Sequence, residues 1–136
     1  MSVSQLLDHF LENQRFSGYI SHIQKIPAQP PDFCPVPDIL PAKVKEWLSR
    51  EGISLYSHQG RSIEAIAEDD DVILCTPTAS GKTLAFMLPF LTIREREPAA
   101  TALAIYPAKA LTRDQMKAIR ELEQKTGMVV NPAIYD

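Results

Sequence analysis

The chain has 136 residues, enough for one domain of ordinary size, and its 45% hydrophobic and 23% charged residues suit a folded rather than a disordered polypeptide. A net charge of −3 excludes a generic polyanion binder, so any nucleic-acid surface has to be local. Cys34 and Cys75 form neither a CxxC pair nor a metal-ligand pattern and read as free thiols; no apolar run is long enough to span a membrane, the N-terminus lacks the features of a signal peptide, and a cytoplasmic location is expected.

In chain order, residues 2–16 are predicted as an amphipathic helix. Ser2 and Gln5 have the spacing of a capping box, Leu6, Leu7, Phe10 and Leu11 form one apolar face, and Gly18 fits a stop. A short strand is expected around Tyr19, Ile20, Ile23 and Ile26. Pro27, Pro30, Pro31, Pro35, Pro37 and Pro41 then forbid regular helix, and 27–40 reads as an extended strap laid over a surface, because Phe33, Val36, Ile39 and Leu40 need cover. Pro41 suits the first turn of a helix to Arg50, with Val44, Trp47 and Leu48 inward and Gly52 closing it.

Ser57 is placed to cap a further helix to Glu68, with Ile63 and Ile66 inward, before the charged turn Asp69-Asp70-Asp71. From there strand and helix patterns alternate. Val72-Ile73-Leu74-Cys75 is a wholly apolar run, as a parallel strand covered on both faces requires. Residues 82–94 read as helix, Thr101 to Tyr106 as a second strand ending at Pro107, and 108–125 as a helix stopped by Gly127. Met128, Val129 and Val130, then Ala133, Ile134 and Tyr135, begin a third strand region. The order implies an α/β class with a parallel sheet flanked by helices. His9, His22 and His58 lack partner spacing and read as structural, as does Trp47.

The segment between the first of those strands and its helix is Thr76-Pro77-Thr78-Ala79-Ser80-Gly81-Lys82-Thr83, followed by Leu84. A bare Gly-Lys-Thr arises by chance, but one that follows an apolar strand and opens a helix is placed as a P-loop. A helix N-terminus offers unpaired N–H groups and a positive dipole end to an anion. Gly81 lets the backbone approach phosphate, Lys82 is expected to reach the β- and γ-phosphates, and the Thr83 hydroxyl to hold Mg²⁺. ATP and Mg²⁺ are therefore the expected ligands, with Thr76, Pro77, Thr78, Ala79, Ser80, Gly81, Lys82, Thr83 and Leu84 around them. Lys82 and Thr83 are the candidate catalytic residues.

The same segment resembles motif I of superfamily-2 DEAD/DEAH-box helicases, which usually lack the leading glycine, here Thr76, that kinases and transport ATPases keep. Leu55-Tyr56-Ser57-His58-Gln59 resembles their Q motif, which implies that Gln59 reads adenine, since an amide both donates and accepts as adenine N6 and N7 require. Pro107-Ala108-Lys109-Ala110-Leu111-Thr112-Arg113-Asp114-Gln115 resembles motif Ia, which grips the sugar-phosphate backbone, although Ala108 stands where the family has threonine. Pro107, Ala108, Lys109, Ala110 and Arg113 are thus the expected nucleic-acid contacts. In the helix that follows, Leu111, Ala118, Ile119 and Leu122 share one face and Arg113, Lys117 and Arg120 the opposite one, as either a solvated stripe or part of that surface.

With Ile20-Ser21-His22 through Ile26-Pro27-Ala28 and the closing Ala133-Ile134-Tyr135-Asp136, the whole chain is similar to the Hrq/MrfA branch of RecQ-related DNA helicases, linked to DNA repair. The resemblance implies a partial RecA-like domain at 54–136 behind an N-terminal extension at 1–53, acting on nucleic acid, with DNA favoured over RNA, and away from membranes. It also implies what these residues do not encode: the acidic DEAD/DEAH pair and the arginine fingers of a second RecA-like domain, so that this stretch alone is expected to be inactive. In RecA-like sheets a later strand lies next to the P-loop strand, so 72–75 is expected to lack its neighbour. Another P-loop enzyme, such as a kinase, and a non-catalytic nucleotide-binding module are the competing readings.

Overall fold

A computed structural model of the chain describes residues 2–24, 26, 27, 30–76 and 80–135; Met1, Lys25, Ala28, Gln29, Pro77, Thr78, Ala79 and Asp136 lie outside the described residues. The chain separates into two units, 1–30 and 31–136.

In the first unit the capping box forms as expected. Gln5 N–H donates to Ser2 Oγ (3.2 Å) and Ser2 N–H to Gln5 Oε1 (2.8 Å), opening α1 (Val3–Glu12). The single helix predicted over 2–16 is instead broken at Asn13, whose φ/ψ of −83°/110° is extended. Its side chain accepts from Arg15 N–H at 3.0 Å and starts a separate turn, α2 (Gln14–Ser17). An asparagine that can cap a new helix competes with continuing the old one. Phe10 and Phe16 pack edge-to-face across the break, centroids 5.4 Å apart. The strand expected around 19–26 does not form among the described residues, where Tyr19 and Ile26 are exposed and no neighbouring strand offers a ladder.

In the second unit the proline-rich strap runs extended through 31–37 and contributes β1 (Phe33–Cys34), antiparallel to β2 (Leu55–Tyr56), with Phe33 opposite Tyr56 and Cys34 opposite Leu55. The strap ends with Pro37, Leu40 and Pro41 buried. Pro41 caps α3 (Ala42–Arg50), whose inward face is Val44, Trp47 and Leu48. Gly52 closes it in the left-handed region (φ 64°). Ile53 N–H bonds Leu48 O at 2.8 Å and Gly52 N–H bonds Ser49 O at 3.2 Å, the paired bonds of a Schellman stop.

Helix α4 (Ser57–Ala67) is capped by Tyr56 rather than Ser57. The Ser57 hydroxyl and N–H are both spent on Asp32 O, at 3.1 and 2.8 Å, so it anchors the strap instead. Helices α5 (Lys82–Arg96) and α6 (Lys109–Thr126) follow, α6 ending at left-handed Gly127. Leu40, Val44, Trp47, Leu48, Leu55, Ile63, Met87, Leu88, Leu91 and Leu122 form one core, so strap, α3, α4, α5 and α6 share a single apolar interior. The rear of α6 is tied down: Arg50 Nη2 donates to Lys125 O (2.9 Å), Lys43 Nζ to Gly127 O (3.4 Å), and Glu123 Oε1 accepts from Val130 and Asn131 N–H. No helix among the described residues is long and apolar enough to cross a membrane.

The parallel sheet predicted from 72–75, 101–106 and 128–135 is not formed. The described residues hold only the two-stranded antiparallel sheet β1–β2. Ile73 is 91% exposed, Leu103 87% and Ile105 84%. A strand exists only where a neighbour lies about 4.8 Å away to complete its ladder, and these apolar runs have none here.

Candidate functional site

The site is built where α4 and α5 begin. Gly81 adopts φ 72°, ψ 29° and turns the chain into α5, with Lys82 and Thr83 as its first two helical residues. No acidic residue stands in that first turn, so nothing there opposes an anion drawn to the helix N-terminus. A side chain at Gly81 would be strained by the left-handed backbone, and its Cβ would collide with Gln59 Nε2.

Gln59 explains that close approach. It is 2% exposed, its Nε2 donates to Gly81 O at 2.8 Å, and its Oε1 accepts from Tyr56 N–H at 2.9 Å. The amide therefore bolts the start of α4 to the pivot of the phosphate loop. His58, one residue earlier, does the same for the preceding position of the loop, its Nε2 lying 2.9 Å from Ser80 O. Behind it stand two more rings: Tyr56 is stacked on His58 (5.6 Å, 10°) and Phe33 on Tyr56 (5.1 Å, 22°), carrying the support back to the β1–β2 pair.

Within the loop, Thr76 Oγ1 and Ser80 Oγ are 2.7 Å apart, and Lys82 Nζ donates to Ser80 Oγ at 3.2 Å. The Thr83 hydroxyl donates to Gln115 Oε1 on α6 at 3.0 Å. Of the expected nucleotide residues, Thr76, Ser80, Gly81, Lys82, Thr83, Leu84 and Gln59 converge here, Leu84 packing against the core; Pro77, Thr78 and Ala79 lie outside the described residues. The donor set suits a triphosphate with a hard divalent cation: a helix N-terminus, an ammonium and a hydroxyl oxygen, with no Cβ at the pivot.

At the head of α6, Pro107, Ala108, Lys109, Ala110 and Arg113 are all exposed. Arg113, Lys117 and Arg120 border a shallow groove with Ile134, and Lys117 lies 3.9 Å from Glu121 one turn on. Just before this head, the Tyr106 hydroxyl is buried with no partner among the described residues, and burial raises its pKa above the usual phenol value. Sequence reasoning treated His58 as structural and gave Gln115 no role, though both stand inside the segments it singled out.

Residues 56–136 match the DEAD/DEAH box helicase family, and the chain belongs to that family. It is similar to the ATP-dependent helicase YprA of Bacillus subtilis (strain 168), 34% identical over 103 residues that make up 75% of this chain and 14% of that protein. It is similar to the ATP-dependent helicase HRQ1 of Saccharomyces cerevisiae, 26% identical over 99% of this chain and 12% of that one. Its fold matches a crystal structure of the DUF1998 helicase MrfA bound to DNA and AMPPNP, with TM-score 0.86 and 28% identity over 100% of this chain and 19% of that one. The Hrq/MrfA resemblance read from the motifs is thus met in sequence and in fold. The chain spans less than a fifth of the length of each of these relatives.

Proposed function

We propose that these residues are the ATP-binding front of a DNA helicase: a partial RecA-like domain, 54–136 with its extension 1–53, that takes ATP–Mg²⁺ at the phosphate loop and presents a strand-gripping surface at the head of α6. The observation that carries this reading is the left-handed Gly81 opening α5, held from behind by Gln59 and His58 and followed directly by Lys82 and Thr83. The MrfA structure, bound to DNA and to an ATP analogue, supports DNA as the polymer and ATP as the fuel.

Each residue has a task. Backbone N–H groups of the first turn of α5 cradle the phosphates, and Lys82 exchanges its bond with Ser80 for the β- and γ-phosphate oxygens. The Thr83 oxygen is the protein's ligand for Mg²⁺, which when bound neutralises charge on the β- and γ-phosphates. Gln59 has a second N–H and a second lone pair beyond its two backbone bonds, the complement of adenine N6 and N7. Lys109 and Arg113 meet backbone phosphates of the bound strand, a contact indifferent to base sequence.

The test uses the full-length protein. Single-stranded DNA is expected to stimulate ATP hydrolysis, a duplex with a single-stranded tail to be unwound, and Lys82→Ala to abolish both. Phosphate transfer to a small molecule without nucleic-acid stimulation would establish the kinase reading instead, and nucleotide binding without any turnover the non-catalytic one.

A further inference from the structure

Among the described residues, the four threonines that lie in helices do not behave alike. Thr92 Oγ1 donates to Leu88 O (2.9 Å), Thr112 Oγ1 to Ala108 O (3.3 Å) and Thr126 Oγ1 to Leu122 O (2.7 Å), each to the carbonyl one turn before it, as helical threonines usually do. Thr83 stands in the first turn of α5, with no helical carbonyl one turn before it, and donates across to another helix, to Gln115 Oε1 of α6 at 3.0 Å, in a half-buried setting.

A hydroxyl carries one hydrogen and two lone pairs, and an amide oxygen only accepts. The bond therefore has one direction, with the Thr83 hydrogen pointing to Gln115. Both Thr83 lone pairs then point elsewhere, available to a cation. Gln115 stands on the same helix as Lys109 and Arg113, two residues from the latter. A shift of the head of α6 moves the group that orients the Thr83 oxygen.

We propose that Gln115 is the positioning residue for the Thr83 hydroxyl and that this bond couples cation–triphosphate binding at the phosphate loop to nucleic acid at the head of α6. The inference rests on the ATP–Mg²⁺ reading given above. Gln115 touches neither ligand. It fixes the rotation of one hydroxyl, and removing it leaves that hydroxyl free to turn.

The experiment is binding of a fluorescent ATP analogue to the full-length protein, with Mg²⁺ or with EDTA, for the unmodified protein, Gln115→Met, Thr83→Val and the double variant. Gln115→Met is expected to weaken binding about ten-fold with Mg²⁺, the worth of one oriented hydrogen bond, and to leave binding in EDTA unchanged. It adds nothing in the Thr83→Val background. Gln115→Glu, which keeps an acceptor in place, retains the Mg²⁺ dependence, whereas a mere fold defect at this position would show in both variants. Single-stranded DNA shifts nucleotide affinity in the unmodified protein, and the shift collapses in Gln115→Met.

Equal weakening with and without Mg²⁺, or full additivity with Thr83→Val, overturns the positioning role. A DNA shift of the same size in both proteins, or none in either, overturns the coupling. Failure of the unmodified protein to bind nucleotide, or binding indifferent to Lys82→Ala, overturns the nucleotide reading itself and is distinguishable from either.

Discussion

The side-chain amide of Gln59 donates to the carbonyl of Gly81 across 2.8 Å, so the pivot of the phosphate loop is held by a residue 22 positions earlier in the chain. The two residues are sterically matched as well, because the space a Cβ would take at Gly81 is filled by that same amide.

A double-mutant cycle exposes the match. Gly81→Ala places a Cβ on a left-handed backbone, which costs about 1–2 kcal/mol, and drives it into Gln59. Shortening Gln59 to Ala removes the collision, so Gly81→Ala is expected to cost less in the Gln59→Ala background than alone. Thermal or urea denaturation of all four proteins measures the interaction. Strict additivity would mean that the loop relaxes away from Gln59 without penalty.

Gln59→Ala on its own leaves the Gly81 carbonyl and the Tyr56 N–H without their partner, a loss of about 1–3 kcal/mol. Affinity for ATP and for GTP should both fall. If Gln59 also reads the base, ATP falls further and the preference for it narrows by a comparable amount, about 1–3 kcal/mol. Competition binding with the two nucleotides separates these effects; an equal loss for both restricts Gln59 to its framing role.

Lys82→Ala removes the ammonium proposed to meet the phosphates. Loss of a charge-assisted hydrogen bond of about 1.5–3 kcal/mol corresponds to roughly ten- to a hundred-fold in Kd, greater for the triphosphate than for the diphosphate. A polypeptide of residues 1–136 is expected to bind nucleotide weakly and not to hydrolyse it, because an arginine finger alone contributes about 10³–10⁵ in rate and no group of three or more His, Cys, Asp or Glu side chains that could hold a metal occurs among the described residues. Phosphate release stimulated by single-stranded DNA and lost in Lys82→Ala would show that the active site needs less than this.

Neutralising Arg113 should weaken single-stranded DNA binding whatever its sequence and flatten the plot of log K against log salt by roughly one unit of slope. Lys117 should matter less than Arg113, since Glu121 already lies 3.9 Å from its ammonium. Titration of binding at several salt concentrations checks both. An unchanged slope in each returns the basic face of α6 to ordinary solvated surface.

What the sequence disclosed follows the reach of each interaction. The Ser2–Gln5 box, the Gly52 and Gly127 stops, the inward Val44, Trp47 and Leu48, and the glycine-headed start of α5 all depend on residues within two turns of one another, and all were legible. The break at Asn13 was also local, but it turned on a side chain choosing between two helices. The strands at 72–75 and 101–106 were read from composition that promises burial, yet a ladder is a property of two segments and the second is absent from the described residues. Ser57 has the chemistry of a cap and was diverted by Asp32, 25 positions away. The bonds from Gln59 and His58 to the phosphate loop and from Thr83 to Gln115 are likewise long-range, so the motifs told which residues matter and not what they touch.

The tethering of the rear of α6 gives that helix leverage. Arg50, Lys43 and Glu123 hold its last turn, while Lys109 to Lys117 lie largely at the surface. At about 1.5 Å per residue, Lys109 is some 26 Å and Gln115 some 16 Å from a fulcrum at Thr126. A rigid helix swung by about 2 Å at Lys109 therefore carries Gln115 through roughly 1 Å, enough to stretch a 3.0 Å hydrogen bond past its useful range. The proposed strand contacts at Lys109 and Arg113 would therefore need to move the head of α6 by only about 2 Å, geared down along one helix, to release the Thr83 hydroxyl.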